Sequence, residues 1–485
     1  MELVFFKSDG WETWELEHEP VIPEQMPVLV DSDLRFDDGP ASPRPLVAVN
    51  QWLRELPLNG CPEPGSWGVY ARAVRDWAVF LRDHGIGLFD QRDALKSGLS
   101  AYAVHRGCGP LDARLAATTW NQHVSILSLL YRWAVAEGYT DAEPFTYRQA
   151  TVFFADVVTR RPVNQAVRRV PKPHVTIKYL EDDFAELFVR GLRGLGPDGE
   201  DEQFRGRELA RNGAVGRFTL DTGLRSQEFT YYLAVELPPL PPVPTRLPVP
   251  LPVPSGIAKG RKFRTTWVPY DTLAELHRYR DLDRALAADG SSWRPPERWG
   301  PPLVVTEADQ WGGRINGRRL SWQDLRASER RRLVAPDGGS MLLAVRSDGG
   351  PFTAWPTVFS RTADRIRERF EPRFPHVFPH RTRHTFSMQT LARLVSGYYQ
   401  QAARLVKDTD ADAGLTLYLA KADPLMVLRD LLGHSSCLTT EKYLRRLDMT
   451  RIFRDAYEQA GRDYGLISDA EAELEADAEF DEDDI

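Results

Sequence analysis

The sequence predicts a mainly α-helical fold with a small β-sheet, divided into an N-terminal helical bundle and a larger mixed α/β domain. Four successive segments between residues 42 and 140 repeat apolar side chains at helical spacing, which is typical of amphipathic helices. Residues 179–464 combine further helical patterns with one hairpin-like pattern. The chain has 485 residues, of which 42% are hydrophobic, so it can bury the cores of two or three domains.

Residues 1–41 are predicted to be an acidic, turn-rich extension with short strands at 3–6 and 27–30. Up to residue 43 the chain carries eleven acidic residues and only Lys7 and Arg35 as cations. Because contact with phosphates needs cations, this extension is not expected to bind DNA.

Residues 42–145 are predicted to form a compact bundle of four helices. Ser42 and a following proline are typical of a helix start, Ser66 begins a second helix, and residues 90–105 form a third. Thr118 or Thr119 begins the fourth helix. Short connections between amphipathic helices favour this packing.

Residues 146–178 are predicted to be a basic linker, extended and semi-rigid because it contains Pro171 and Pro173. We expect such a strap to lie across a DNA backbone. The candidate DNA contacts are Arg160, Arg161, Arg168, Arg169 and Lys172, with Lys262 added from the next domain.

The larger domain, residues 179–464, is predicted to contain helices at 181–193, 203–219, 271–286 and 355–370, with another from 379. A β-hairpin at 255–269 holds Lys259, and residues 342–345 form a strand. Three segments are predicted to be insertions: a proline run at 237–254, expected to be surface polyproline II, and segments 289–340 and 398–422. Residues 465–485 are predicted to be a disordered acidic tail.

The net charge of −7 conceals a basic body. Residues 468–485 hold ten carboxylates and neither Lys nor Arg, so the rest of the chain carries +3. A basic body with an acidic tail is compatible with nucleic-acid binding.

The composition indicates a cytoplasmic protein, and binding to DNA would place it at the nucleoid. Cys61, Cys108 and Cys437 are odd in number and scattered, which is typical of reduced thiols. No run of eighteen apolar residues predicts a membrane span, and the first ten residues lack the pattern of a signal peptide.

The stretch from Val427 to Tyr443 has a pattern suited to chemistry. An apolar helical stripe stops at Gly433, His434 follows, and Tyr443 lies near the start of another helix that Thr439 or Thr440 can cap. Taken alone, Tyr443 is better explained as an amphipathic core residue with its hydroxyl in water.

Three other pieces hold the groups that phosphate chemistry needs: Arg225 after a glycine, Lys259 in the hairpin, and His380 with Arg383 three residues later. A phosphodiester under attack gains negative charge, which guanidinium groups neutralise. A phenol with a pKa of about 10 is a poor nucleophile at neutral pH unless cations and a base assist it. A Lys or His can protonate the leaving oxygen.

These pieces resemble, in order, the motifs of the tyrosine recombinases, or phage-type integrases. The matching segments are TGLRSQE at 222–228, AKGRKFR at 258–264, HRTRHTF at 380–386 and LGHSSCLTTEKY at 432–443. The resemblance covers about residues 176–464 and implies that this is a catalytic domain. The preceding bundle fits the family's core-binding domain by layout only.

The resemblance implies a site-specific recombinase that cuts and rejoins duplex DNA through a 3′-phosphotyrosyl intermediate. Arg225 and Arg383 would hold the phosphate, His380 would act as acid or base, and His434 would hydrogen-bond a phosphate oxygen. Lys259 would protonate the leaving 5′ oxygen, Tyr443 would attack, and Glu228 would support the site. Neither a metal nor another cofactor is implied.

The partners would be double-stranded DNA, three further copies in a tetramer on two DNA sites, and an accessory directionality factor. Residues 448–464 are the candidate for docking onto a neighbouring copy.

Three alternatives stay open from the sequence. A type IB topoisomerase would use the same nucleophile to relax supercoils, and a DNA-binding protein could keep an inactive form of the site. A metal-dependent hydrolase could use His380 and His384, but the adjacent Arg381 disfavours a divalent ion.

Overall fold

We describe a computed structural model of the chain. The structure describes residues 1–7, 18, 21–38, 43–61, 63–141, 143–154, 157–169, 178–245, 247–336, 338–408 and 424–433. The chain divides into two units, Met1–Pro173 and His174–Ile485, each of which is described by itself.

The N-terminal unit combines a two-stranded sheet with four helices. Strands β1 (Glu2–Phe5) and β2 (Pro27–Val30) pair antiparallel, close to the positions expected for both. The helices are α1 (Pro45–Glu55), α2 (Pro64–Asp83), α3 (Arg92–Cys108) and α4 (Ala117–Ala136). Leu29 of β2 belongs to the same buried core as the helices, so part of the acidic segment is packed into this unit.

Large aromatic side chains fill the core of the helical bundle. Trp52, Trp77, Trp120 and Tyr131 are almost fully buried. The Trp77 indole donates to the Tyr131 hydroxyl at 2.9 Å, and that hydroxyl donates to the Leu88 carbonyl at 2.8 Å. The indole N–H of Trp77 and the hydroxyl of Tyr131 are therefore hydrogen-bonded inside the core, as buried Trp and Tyr require.

A β-hairpin replaces most of the predicted extended linker. Strands β3 (Tyr147–Phe154) and β4 (Val157–Asn164) pair antiparallel over eight residues each. The apolar and β-branched residues on both sides of the reversal favour strands, and Pro162 is tolerated because the sheet has only two strands and both are edges. Pro171 and Pro173, on which the extended linker was predicted, lie beyond β4 and therefore do not oppose its pairing.

The second unit begins with helices that lead to the candidate site. They are α5 (Asp182–Leu192), α6 (Leu209–Thr222) and α7 (Ser226–Thr230). The α6 helix begins six residues later than predicted. Helices α8 (Tyr270–Tyr279) and α9 (Ala285–Ala288) are joined by a π-helical turn at Arg280–Arg284 and cover the predicted helix at 271–286.

The hairpin predicted around Lys259 is present, but its first strand comes from the proline run. Strand β5 (Val249–Val253) pairs antiparallel with β6 (Arg264–Val268), and Lys259 lies in the connection. Prolines 250 and 252 alternate with Val249, Leu251 and Val253, and Leu251 and Val253 are fully buried. Alternate prolines direct their missing N–H groups to one edge, so this part of the run forms an edge strand and not polyproline II.

The predicted insertion at 289–340 contains a folded four-stranded sheet. Its elements are β7 (Leu303–Ala308), β8 (Gly312–Ile315), β9 (Arg318–Ser321), α10 (Ala327–Arg330) and β10 (Leu333–Val334), in the strand order β10-β7-β8-β9. A Cβ atom at Gly313 would lie 2.4 Å from the Trp322 ring, so the glycine lets the ring pack on β8. The strand predicted at 342–345 forms isolated bridges only.

Three helices complete the second unit: α11 (Trp355–Arg369), α12 (Pro379–Asp408) and α13 (Pro424–Leu432). The α12 helix continues into the predicted insertion at 398–422, whose remainder from 409 lies outside the described residues. Leu391, Leu428 and Leu432 share a small core between α12 and α13. The predicted mainly α fold with small sheets is confirmed. Where the chain is described, every helix is too short or too polar to span a bilayer.

Arg330 locks the four-stranded sheet to the segment after α7. It is fully buried, and its guanidinium donates to both carboxylate oxygens of Glu236 at 2.6 and 2.8 Å. It also donates to the carbonyls of Tyr231, Trp322 and Leu325.

Replacing Arg330 with Gln is expected to lower the free energy of unfolding by about 3–5 kcal/mol, because Glu236 becomes a buried charge without a partner. Arg319→Gln is the matched control, since its pair with Asp309 is exposed and screened by solvent, so the change should leave the urea midpoint close to that of the wild type. Urea unfolding measures both variants. Equal losses would contradict the role assigned to Arg330.

Candidate active site

Arg225 is positioned by a sharp helix end. The α6 helix stops at Gly223, whose φ of +61° is unfavourable for residues with a Cβ atom. A Cβ atom here would also lie 2.2 Å from the Phe386 ring. The chain turns at this glycine, becomes extended at Arg225 and enters α7, which brings the guanidinium out at the junction of two helices.

Glu228 fixes the position of Arg225 through two hydrogen bonds. Its Oε2 accepts the Arg225 backbone N–H at 2.7 Å, and its Oε1 accepts the Arg225 guanidinium at 3.0 Å. Arg264 of β6 donates to the same two oxygens at 2.8 and 2.6 Å. Glu228 therefore contacts both Arg225 and Arg264, and its predicted role in supporting the site stays a prediction.

The Glu228 carboxylate remains ionised although its side chain is fully buried. Burial alone would raise its pKa. Hydrogen bonds and charge from Arg264, followed by those from Arg225, outweigh burial and lower the pKa below its ordinary value.

His380 and Arg383 lie in the first turn of α12, three residues apart. Arg383 is 2% exposed, and its guanidinium donates to the Gly223 carbonyl and to the Leu432 carbonyl. It therefore connects the end of α6 with the end of α13. His380 reaches solvent beside it.

The electrostatics of His380 show that three predicted cations lie close together. Desolvation by surrounding atoms lowers the pKa of the imidazole most, followed by the positive charges of Arg383, Arg225 and Lys259. The structure thus brings these four side chains into one electrostatic neighbourhood. At neutral pH the His380 imidazole is neutral and able to accept a proton.

The carbonyls at the end of α13 each accept from a different arginine of this neighbourhood. Leu431 accepts from Arg264 at 3.3 Å, Leu432 accepts from Arg383, and Gly433 accepts from Arg225 at 3.5 Å. Cations are favoured at a helix C-terminus, where the last carbonyls lack helical partners. Gly433 ends α13 with φ +62°, as its stop signal predicts.

His384 packs against His380 and remains neutral. The two ring centroids are 4.5 Å apart with an interplanar angle of 74°. Burial, and then charge on His380, Arg383 and Arg381, lowers the pKa of His384 to about 4. Among the described residues, no group of three or more His, Cys, Asp or Glu side chains is arranged to hold a metal ion.

Stability is expected to fall as the pH is lowered from 6.5 to 4, by about 2 kcal/mol on account of His384 alone. In this window the unfolded chain protonates the imidazole, whereas the folded chain keeps it neutral. His384→Gln should flatten this part of the dependence, measured as urea midpoints at several pH values. His376→Gln, a change at an exposed histidine, is the control. A His384→Gln profile identical to that of the wild type would contradict this account.

Lys259 and Lys262 are exposed in the connection between β5 and β6. Lys259 is the lysine whose charge acts on His380, which favours it over Lys262 as the proton donor. Lys262 stays a predicted DNA contact.

The structure does not describe two of the predicted site residues. His434 and Tyr443 lie outside the described residues, as do Lys172, Cys437, residues 448–464 and the acidic tail. Their predicted roles stay predictions.

The predicted DNA contacts of the linker fall into different environments. Arg160 and Arg161 lie on β4, and the Arg160 and Arg169 side chains are exposed. The Arg168 guanidinium instead lies 4.2 Å from the Trp120 ring centroid and donates to the Ala103 carbonyl. These contacts fix the Arg168 guanidinium within the unit, and its predicted contact with DNA stays a prediction.

Arg264 is a residue of the site for which the sequence predicted no role. It follows Lys259 by five residues in the matching segment AKGRKFR, and it lies at the start of β6. Its partner Glu228 lies 36 residues earlier in the sequence, and only the folded chain brings the two together.

No protein-family model matches the chain, and no curated protein sequence matches it either. Solved structures similar to the chain include two of the XerH site-specific recombinase and one of the XerA recombinase. The XerH recombinase bound to difH substrate in a pre-cleavage complex is 16% identical, with a TM-score of 0.42, covering 80% of this chain and 78% of that one. XerH bound to palindromic difH substrate in a post-cleavage complex is 14% identical, with a TM-score of 0.45 and coverage of 85% and 86%. The XerA recombinase is 16% identical, with a TM-score of 0.32 and coverage of 81% and 91%. All three TM-scores lie below 0.5.

Proposed function

We propose that the chain is a site-specific DNA recombinase that cuts and rejoins duplex DNA through a 3′-phosphotyrosyl intermediate. One observation carries the proposal: Arg225 and Arg383 donate to carbonyls at the end of α13, and their charges, with that of Lys259, act on a neutral His380. The sequence continues from there to His434 and, ten residues after Gly433, to Tyr443. A tyrosine needs such cations and such a base in order to attack a phosphodiester.

In the proposed reaction the Tyr443 oxygen attacks the phosphorus, and the bond to the 5′ oxygen breaks. His380 accepts the phenol proton, which its lowered pKa permits at neutral pH. Lys259 gives a proton to the departing 5′ oxygen. Arg225 and Arg383 neutralise charge on the non-bridging oxygens, and His434 donates to one of them.

The phosphotyrosyl bond conserves the energy of the original linkage, so rejoining needs neither ATP nor a metal. The 5′ hydroxyl of a second strand attacks the phosphorus and releases Tyr443. We place this reaction in a tetramer on two duplexes, with an accessory directionality factor as a further partner.

The experiment is covalent capture of nicked DNA by the wild-type protein, with a chelator present and ATP absent. The nick lets the short 5′-hydroxyl fragment diffuse away, which traps the intermediate. Since the target sequence is unknown, the probes are a random-sequence pool of nicked duplexes and nicked duplexes tiled through the DNA that flanks the gene.

An adduct that survives denaturation is expected on the 3′ phosphate at the cleavage site, on the strand upstream of the released fragment. Two captured sites should then exchange strands. Relaxation of supercoiled plasmid without exchange would favour a topoisomerase, and binding without any adduct would favour a DNA-binding protein with an inactive site. An adduct that requires a divalent ion would favour a metal-dependent enzyme.

A further inference from the structure

Arg264 and Arg225 share one carboxylate but occupy different positions around it. The Arg225 side chain is 23% exposed, whereas that of Arg264 is 9% exposed and Glu228 is fully buried between them. The guanidinium of Arg264 forms a two-pronged pair with the Glu228 oxygens, at 2.8 and 2.6 Å. The guanidinium of Arg225 reaches only one of these oxygens, at 3.0 Å.

This arrangement leaves one positive charge in excess. Two guanidinium groups face one carboxylate, and the better geometry belongs to the deeper pair. Arg264 therefore neutralises Glu228, and the charge of the more exposed Arg225 is left for an incoming anion. Without Arg264, the buried carboxylate would have Arg225 as its cationic partner, and the pair would be neutral.

Arg264 also contacts the end of α13. Its Nε donates to the Leu431 carbonyl at 3.3 Å, and its Cδ would lie 2.7 Å from a Cβ atom at Gly433. The side chain thus supports the last turn of the helix from which the chain continues to His434 and Tyr443.

We infer that Arg264 is a positioning residue of the proposed reaction: by pairing with Glu228 it keeps Arg225 available for the phosphate, and it anchors the end of α13. The catalytic consequence of this inference rests on the proposed function. The effect of Arg264 on Arg225 rests only on the contacts of Glu228.

The first test needs no cleavage. The Arg225 Nε–H signal is followed by nitrogen-15 NMR during titration with inorganic phosphate. The signal is expected to shift in the wild type, to lose its response in Arg264→Gln, and to regain it in the double variant Arg264→Gln/Glu228→Gln, where no carboxylate competes for Arg225. A response in Arg264→Gln equal to that of the wild type would overturn the inference.

The second test measures the rate of adduct formation at saturating DNA, using the nicked duplex that the wild type captures. Arg264→Gln should slow this step by about 100-fold, comparable to losing one donor to the developing charge. Arg264→Lys keeps the positive charge but cannot form the two-pronged pair, so it should slow adduct formation by roughly 10-fold. The double variant should be faster than Arg264→Gln alone, because no carboxylate competes with the phosphate for its Arg225.

Arg193→Gln is the matched control, because it removes an Arg–Glu pair, with Glu275, elsewhere in the same unit. A purely structural role for Arg264 predicts that the double variant is no faster than Arg264→Gln, which would overturn the inference. If the wild type forms no adduct but its Arg225 signal behaves as expected, the proposed function fails while the pairing of Arg264 with Glu228 stands.

Discussion

Replacing Tyr443 with Phe is expected to abolish the covalent protein–DNA adduct while leaving DNA affinity almost unchanged. The change removes one oxygen and preserves the ring, so packing and charge stay the same. Loss of a nucleophile typically lowers the rate by at least about 10⁴-fold. The measurement is capture of a nicked duplex on a denaturing gel, with affinity determined in parallel by gel shift.

A second tyrosine provides the control for this change. Tyr270→Phe alters a partly exposed tyrosine at the start of α8 and should leave adduct formation as in the wild type. If Tyr443→Phe still forms the adduct, residue 443 is not the nucleophile.

Replacing Arg383 with Gln is expected to slow adduct formation by about 10²–10³-fold, because the developing phosphate charge loses one guanidinium. The change also removes the donor to the buried carbonyls of Gly223 and Leu432. Unpaired carbonyls of this kind cost about 1–3 kcal/mol each, so the urea midpoint should fall as well.

The rate of adduct formation at saturating DNA, measured per folded molecule, separates the effect of Arg383 on the reaction from its effect on stability. Arg367→Gln is the matched control. Arg367 lies on α11, away from the site, and likewise donates to a backbone carbonyl, that of Phe374, at 2.8 Å. It should lose stability without losing the rate of cleavage per folded molecule. A cleavage rate for Arg383→Gln equal to that of Arg367→Gln would show that Arg383 is structural only.

The helices were predictable because their apolar positions repeat with a strong period. The strands in the linker were not, because Arg and Pro interrupt their apolar residues, and those in residues 289–340 were not, because they are short and contain Gly and Arg. Strand β5 shows the reason most clearly. Proline normally argues against a strand, yet at alternate positions of an edge it costs no ladder hydrogen bond.

The site was predictable where chemistry and local structure coincide in sequence. Arg225 follows the glycine that ends α6, and His380 and Arg383 share the first turn of α12. Arg264 acts through a partner on another element, so its role has no local signal. Arg168 shows the opposite case: its place among the linker cations gave no local sign that the Trp120 ring and the Ala103 carbonyl contact its guanidinium.

The most direct test of the central claim is identification of the residue that becomes linked to DNA. The wild-type adduct is digested with trypsin and a nuclease, and the modified peptide is sequenced by mass spectrometry. We predict a nucleotide joined through its 3′ phosphate to Tyr443, in the peptide that follows Lys442. A nucleotide on any other residue, or one joined through its 5′ phosphate, would contradict a site in which Arg225, His380 and Arg383 serve attack by Tyr443.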